Sequence, residues 1–328
     1  MIGAADAARM WGGTAAEAQA RWAGARAALL AARERRPRPH RDEKVLACWN
    51  GLMIAALARG ERVLADASLG LRAVRAATFA WEQLRDPATG AMRRHLSAGA
   101  AAGEGQLDDH AAMAHGFLEL WSATQDPVWL ARAAGLTRVQ VERFWDHADG
   151  AFFESPAGDP GVLVRMKDGY DGAEMAGNSL AAGNLVRLAA LDPEGPWSVW
   201  RDRVLDYHAR RLSESPWAMP RMLVAMEAAA HAGRQVVIAG GTADERGALL
   251  AVARAGFRPF DEIVVVDDAT REALAPHAPF AASLRPASGH ATAFVCVDRA
   301  CRLPVTAPEA LASQLDEACP PGAATEIA

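Results

Sequence analysis

The sequence predicts a mainly α protein: an incomplete α/α toroid followed by a small α/β unit. Two observations predict it. From about residue 15 to 232 the apolar residues recur with a helical period, whereas from about 234 onward they gather into short β-branched runs. Within the helical part, a unit of helix, helix and short hairpin recurs at intervals of 59 and 69 residues, counted from Asn50 to Asp109 and from Asp109 to Asn178.

The helical segments are "VLACWNGLMIAALA", "LGLRAVRAATFAWEQL", "DDHAAMAHGFLELWSAT", "PVWLARAAGLTRVQVERFW", "NSLAAGNLVRLAAL" and "VWRDRVLDYHARRL", with a preceding helix expected from roughly 14 to 35. Gly-turns with extended flanks, "DPATGAMRRHL" and "HADGAFFESP", close the first two pairs. Helices carrying a small polar motif alternate with helices rich in Arg, Glu and Trp. Such alternation builds an inner and an outer layer, and brings polar residues of the inner helices to one central pocket. Six hairpins of about 60 to 70 residues would need roughly 360 to 420 residues; residues 43 to 232 supply about three. The late runs "RQVVIAGG", "EIVVVDD" and "ATAFVCVD" predict strands near 235 to 239, 262 to 267 and 292 to 297. The expected organisation is thus an N-terminal helical arm over 1–42, the incomplete toroid over 43–232, the α/β unit over 233–318 and a disordered tail over 319–328.

Composition excludes several classes. The 328 residues are 51% apolar and 23% charged, enough for sizeable cores. A net charge of −5 without a basic stripe argues against nucleic-acid binding. No window reaches the length of a membrane span, and "MIGAADAARMWGG" has no signal-peptide pattern, so a cytoplasmic protein without a membrane partner is expected. Cys48, Cys296, Cys301 and Cys319 form no Cys-x-x-Cys pair, which suits a reducing compartment, and Cys296 and Cys301 read more readily as two thiols than as a disulfide or metal clip.

The candidate site residues lie on the inner helices. Asp108 and Asp109 can supply unequal carboxylates for acid and base work, although Asp108 as an N-cap accounts for the same residues. Trp49 and Asn50 form an aromatic-plus-amide pair suited to a polyol, against a local backbone partner for the amide, and Gly51 permits close approach of a helix or ligand. The loop "DGYDGAEMAGNSLAAGN" offers Asp168, Asp171, Glu174, Asn178 and Asn184, with Asn178 also a plausible N-cap. His110 is the histidine beside other candidates; His95, His115, His208 and His231 read as surface or core residues. No metal-ligand spacing and no cofactor motif emerge. "AGGTADERG" is explained by a Thr242–Glu245 capping box.

The stretches "RPRPHRDEKVLACWNGLMIAALA", "LDDHAAMAHGFLELWSATQDPVWL", "DGYDGAEMAGNSLAAGNLVRLAAL" and "ATAFVCVDRACRLPVTAPEAL" resemble the C-terminal half of thioredoxin-domain-containing proteins of the YyaL and spermatogenesis-associated type, over about residues 12 to 316. The resemblance implies a partial (α/α)6 toroid of the six-hairpin glycosidase-like kind, related to N-acylglucosamine 2-epimerases. It further implies a carbohydrate-binding or carbohydrate-processing role, epimerase-like or isomerase-like if enzymatic. On that reading Asp109, Asp171 and Glu174 are the catalytic candidates, and Trp49, Asn50, Asp108, His110 and Asn178 bind a small sugar. The family's thioredoxin-like domain and first hairpins, with a His-Phe-Glu-Lys-Met-Leu type motif, have no counterpart here, and His110 stands where the family usually has Tyr. The alternative is a non-catalytic scaffold or binding half that needs a separately encoded partner carrying the thioredoxin-like domain and the missing hairpins.

Overall fold

The structure, a computed structural model, describes residues 3–317 other than 232, 288 and 298. The expected tail over 319–328, with Cys319, lies outside the described residues. The chain forms two compact units, 1–43 and 44–328. The first holds α1 (Ala4–Trp11) and α2 (Ala15–Glu34), the latter where the early helix is expected. Thr14 and Glu17 start α2 by exchanging side-chain and backbone hydrogen bonds, which satisfies donors the first turn leaves open.

The second unit begins with β1 (Val45–Leu46), α3 (Ala47–Leu64), α4 (Ala67–Leu84), β2 (Arg93–Ser97), β3 (Ala100–Glu104), α5 (Leu107–Thr124), α6 (Pro127–Phe144), α7 (Gly177–Leu191), α8 (Trp197–Glu214) and α9 (Pro220–Ala230). Helices α3, α5, α7 and α9 pack on one another in that order, and α4, α6 and α8 each back onto the helix preceding them. This is an incomplete α/α toroid of seven helices among the described residues. Local chemistry sets its corners: Asp66 and Asp126 accept the backbone N–H of Ser68 and Val128, and Pro127 stands at the first position of α6, where its missing N–H costs nothing. In α4 the buried residues are Ala73, Ala77, Ala80 and Leu84, a helical stripe whose small side chains admit a close second layer. Helix α5 is buried from Asp109 to Ala123, which explains why its apolar pattern is nearly continuous.

The chain continues with β4 (Gln235–Ala239), α10 (Ala243–Arg254), β5 (Glu262–Val266), the short α11 (Arg271–Leu274) and α12 (Pro279–Ser283), β6 (Thr292–Val297), β7 (Ala300–Cys301) and α13 (Pro308–Asp316). The sheet order is β5-β4-β6-β7, with β4 and β5 parallel across α10. Its period of two sorts the two faces: Val236, Ile238 and Val295 pack with Leu249 and Leu311, while Val237, Val264 and Val266 join the core of the toroid helices. The strands stand where the β-branched runs place them, but one sheet face shares its core with the helices. Three polar contacts add to this join. Gln125 at the end of α5 donates to Ile263 and accepts from Val265, pairing with the free edge of β5. Arg254 donates to the Ser122 and Ala123 carbonyls, and Arg187 pairs with Glu262.

Thr242 and Glu245 form the expected capping box. Cys296 and Cys301 do not stay thiols; they form a disulfide. The β6–β7 hairpin faces the two residues across the ladder, a pairing that the four-residue spacing alone does not reveal. Among the described residues, no helix is long and apolar enough to cross a membrane.

Candidate functional site

The internal repeat is built into the loops that roof the inner helices. After α4, Asp86 N–H donates to Ala91, Gly90 N–H returns to Asp86, and the Asp86 carboxylate accepts from Ala88; Asp146, Ala151, Gly150 and Ala148 repeat each contact after α6. Gly90 and Gly150 sit at φ of 74° and 85°, where a side chain is strained. The following inner helix grips each turn. His110 Nε2 accepts the Met92 N–H at 3.0 Å while Nδ1 donates to the Gln106 carbonyl, and Asn178 accepts from Phe152 N–H and donates to Phe152 C=O, both at 2.9 Å. Asn178 is therefore not an N-cap: the cap position is Ala176, and the buried amide satisfies a loop backbone 26 residues away. His110 and Asn178, both expected to touch a sugar, have their polar atoms committed to backbone.

Three inner-helix starts nevertheless meet. The Asp109 carboxylate accepts from Cys48 N–H at the head of α3, from Gln106 N–H and from Arg94, all at 3.0–3.1 Å. Asp108 is not the N-cap either, since Gln106 occupies that position; it also takes a hydrogen bond from Arg94. The Trp49 indole N–H donates to Glu174 at 2.7 Å, tying α3 to the loop before α7. Cys48 Sγ and the Asp108 and Glu174 carboxylates lie within 4.8 Å of one another, a group able to hold a metal ion. Asn50 does not join them: its amide donates to the Leu46 carbonyl one turn back. Gly51 serves helix approach, because a Cβ there would lie 2.4 Å from the Ala112 backbone of α5.

Burial, reinforced by Asp108, pushes the Asp109 carboxyl up to about 7 against its N–H donors and Arg94. Glu154, which the sequence reading passed over, lies beside the same cluster. Its carbonyl accepts the first N–H of α5 and its carboxylate accepts from Asp168 N–H. Burial raises it to about 7 as well, with Asp168 and Asp108 adding to the effect. Burial also lifts the Cys48 thiol above its ordinary value, with the neighbouring carboxylates in support. Asp171 is occupied differently: one oxygen accepts Ala176 N–H and the other Arg221 N–H, so it fastens the loop to the start of α9.

A second charged layer crosses the inner helices. Glu119 of α5 is shared by Arg59 and Arg62 of α3 and Arg187 of α7. Burial opposes its charge, but the guanidiniums of Arg187 and Arg59 hold its carboxyl well below the usual range. His115, one turn earlier, is only 7% exposed, a core histidine that burial lowers to about 3. Arg and Glu on separate helices read as surface residues in sequence; only the packing of α3, α5 and α7 makes them one network.

No protein-family model matches the chain. Spermatogenesis-associated protein 20 of Homo sapiens is 33% identical over 290 residues, covering 85% of this chain and 37% of that protein. Over this stretch the chain is its homologue. The chain spans well under half the length of the curated relatives it matches. Among solved structures, cellobiose 2-epimerase from Bacillus thermoamylovorans is 14% identical with a TM-score of 0.43, over 52% of this chain and 45% of that one. The GH76 α-mannanase of Bacteroides thetaiotaomicron is 13% identical with a TM-score of 0.44, over 52% and 46%.

Proposed function

We propose that the chain is the toroid-bearing part of a protein of the spermatogenesis-associated type and binds or processes a small carbohydrate at the N-terminal rim of its inner helices. The carrying observation is the meeting of Cys48, Asp108 and Glu174 within 4.8 Å beside Trp49, a residue 56% exposed. A sugar needs an apolar face to stack on and acceptors for its hydroxyls, and Trp49 with Asp108 and Glu174 offers both. For proton transfer next to a carbonyl, a carboxyl poised near neutrality is the efficient type. Glu154 and Asp109 have that poise, but every Asp109 oxygen already serves a donor, so Glu154 is the better acid or base and Asp109 its neighbour in the rim. Asp171 and Asn178 hold the loop that presents Glu174.

The scaffold reading keeps one supporting observation: α3 exposes Trp49, Met53 and Val63 along one face, as an end helix awaiting a neighbour does. On that reading, a separately encoded half with the thioredoxin-like domain and the missing hairpins completes the rim. Calorimetric titration with mono- and disaccharides, alone and with such a half, separates the two. Binding that Trp49→Ala and Glu174→Gln weaken by about tenfold or more supports the carbohydrate reading. Failure of every sugar to bind under both conditions removes it.

A further inference from the structure

The charged layer below the rim contains an arginine without an acceptor. Arg221, the second residue of α9, uses its backbone N–H on Asp171, but among the described residues its guanidinium has no hydrogen-bond or ion-pair partner, and Nε is buried. It lies over Gly183 of α7, where a Cβ would stand 2.8 Å from its Nη2, so α7 offers it no side chain there. Its charged surroundings are Arg59, Glu119, Arg187 and Asp171. Glu119 is already shared by Arg59, Arg62 and Arg187; Arg187 is further held by Glu262; and both Asp171 oxygens accept backbone N–H groups. His115 faces the same groups, and its Nδ1 is buried with no partner. Four guanidiniums thus stand against three carboxylates whose oxygens are taken.

Only Nε of this half-buried guanidinium is sealed from water, so its terminal nitrogens are open to a ligand, and the group that fits their planar fork is an oxyanion with two oxygens in one plane. The layer is reachable, since the Arg59 side chain at its border is 58% exposed. We infer that Arg221, with His115 as a neutral second donor and Arg59 at the mouth, forms a binding site for the carboxylate or phosphate group of a small-molecule ligand. The site is distinct from the rim of Cys48, Asp108 and Glu174 and does not depend on the carbohydrate reading.

The test titrates the chain in low-salt buffer with inorganic phosphate, glucose 6-phosphate, glucuronate and glucose. The phosphate and carboxylate arms identify the preferred oxyanion, and glucose reports any rim binding separately. The expected result is saturable binding of at least one anion, about tenfold or more tighter than glucose, because charge-assisted bidentate bonds add that much. Arg221→Gln abolishes the preference, Arg221→Lys keeps part of it, and Arg210→Gln, on the exposed surface of α8, leaves it unchanged. Phenylglyoxal labelling of the unaltered chain, read by mass spectrometry, needs no variant to fold: the bound anion protects Arg221. Absence of saturable anion binding, equal binding by Arg221→Gln, or labelling of Arg221 indifferent to the anion overturns the site.

Discussion

His110 carries a titration signature that its burial creates, against the hydrogen bond to the Gln106 carbonyl. Burial lowers it from the ordinary 6.5 to about 4, so the folded chain holds it neutral while the unfolded chain protonates it between those values. Its contribution to stability is complete above pH 6.5 and is lost as the pH falls through 4, a difference on the order of 3 kcal/mol. Urea unfolding of wild type and His110→Gln should therefore yield curves whose separation narrows as the pH drops through this window. Parallel curves would contradict the assignment. Glu154 has the opposite sign. Raised from 4.5 to about 7, it favours the folded state below pH 4.5, and that contribution disappears as the pH rises through 7. Glu154→Gln should gain on the wild type across that range, in the same unfolding measurement.

At the scale of elements, the crossing of α3 and α5 is set by two glycines. A Cβ on Gly51 would lie 2.4 Å from the Ala112 carbonyl carbon, and one on Gly116 would lie 2.6 Å from the Gly51 oxygen. Both obstacles are backbone, which cannot rotate away. Gly51→Ala is expected to cost about 1–3 kcal/mol or more through overpacking. Gly24→Ala makes the contrast, since nothing lies within 4 Å of its Cβ position in α2; there the better helix former should stabilise by about 0.5–1 kcal/mol. Denaturant midpoints decide both, and an unharmed Gly51→Ala would mean that the helices do not cross so closely.

Over the whole molecule, the end pair of the toroid leaves large apolar side chains in solvent: Trp49, Met53, Val63 and Leu64 on α3, Leu71 and Phe79 on α4. Apolar surface of this extent favours association. Light scattering after size exclusion should return a mass that rises with concentration above 34.8 kDa and persists in high salt, because no charge pair drives it. Met53→Lys with Leu71→Lys should restore the monomer. A wild-type monomer at every concentration and salt would count against an unpartnered edge.

The sequence alone determined what short-range physics controls. Helical and strand periods located α3 to α8 and β4 to β6, the Thr242–Glu245 box was readable in place, and the turns at Asp86 and Asp146 repeat because the same residue types satisfy the same local hydrogen bonds. Tertiary structure decided the partner of each polar side chain. Asp109 could be singled out, but not its hold on Cys48 61 residues away; Asn178 looked like a cap and proved to be a clamp on Phe152; the Cys296–Cys301 bond was the less favoured of two readings, and Glu154 and Arg221 gave no signal of their own. The reason is physical. Period, cap and turn depend on backbone sterics and burial within a turn or two of chain, whereas a buried polar group must be satisfied by whichever group the packed helices bring within 3 Å or so, and that neighbour is chosen by the fold.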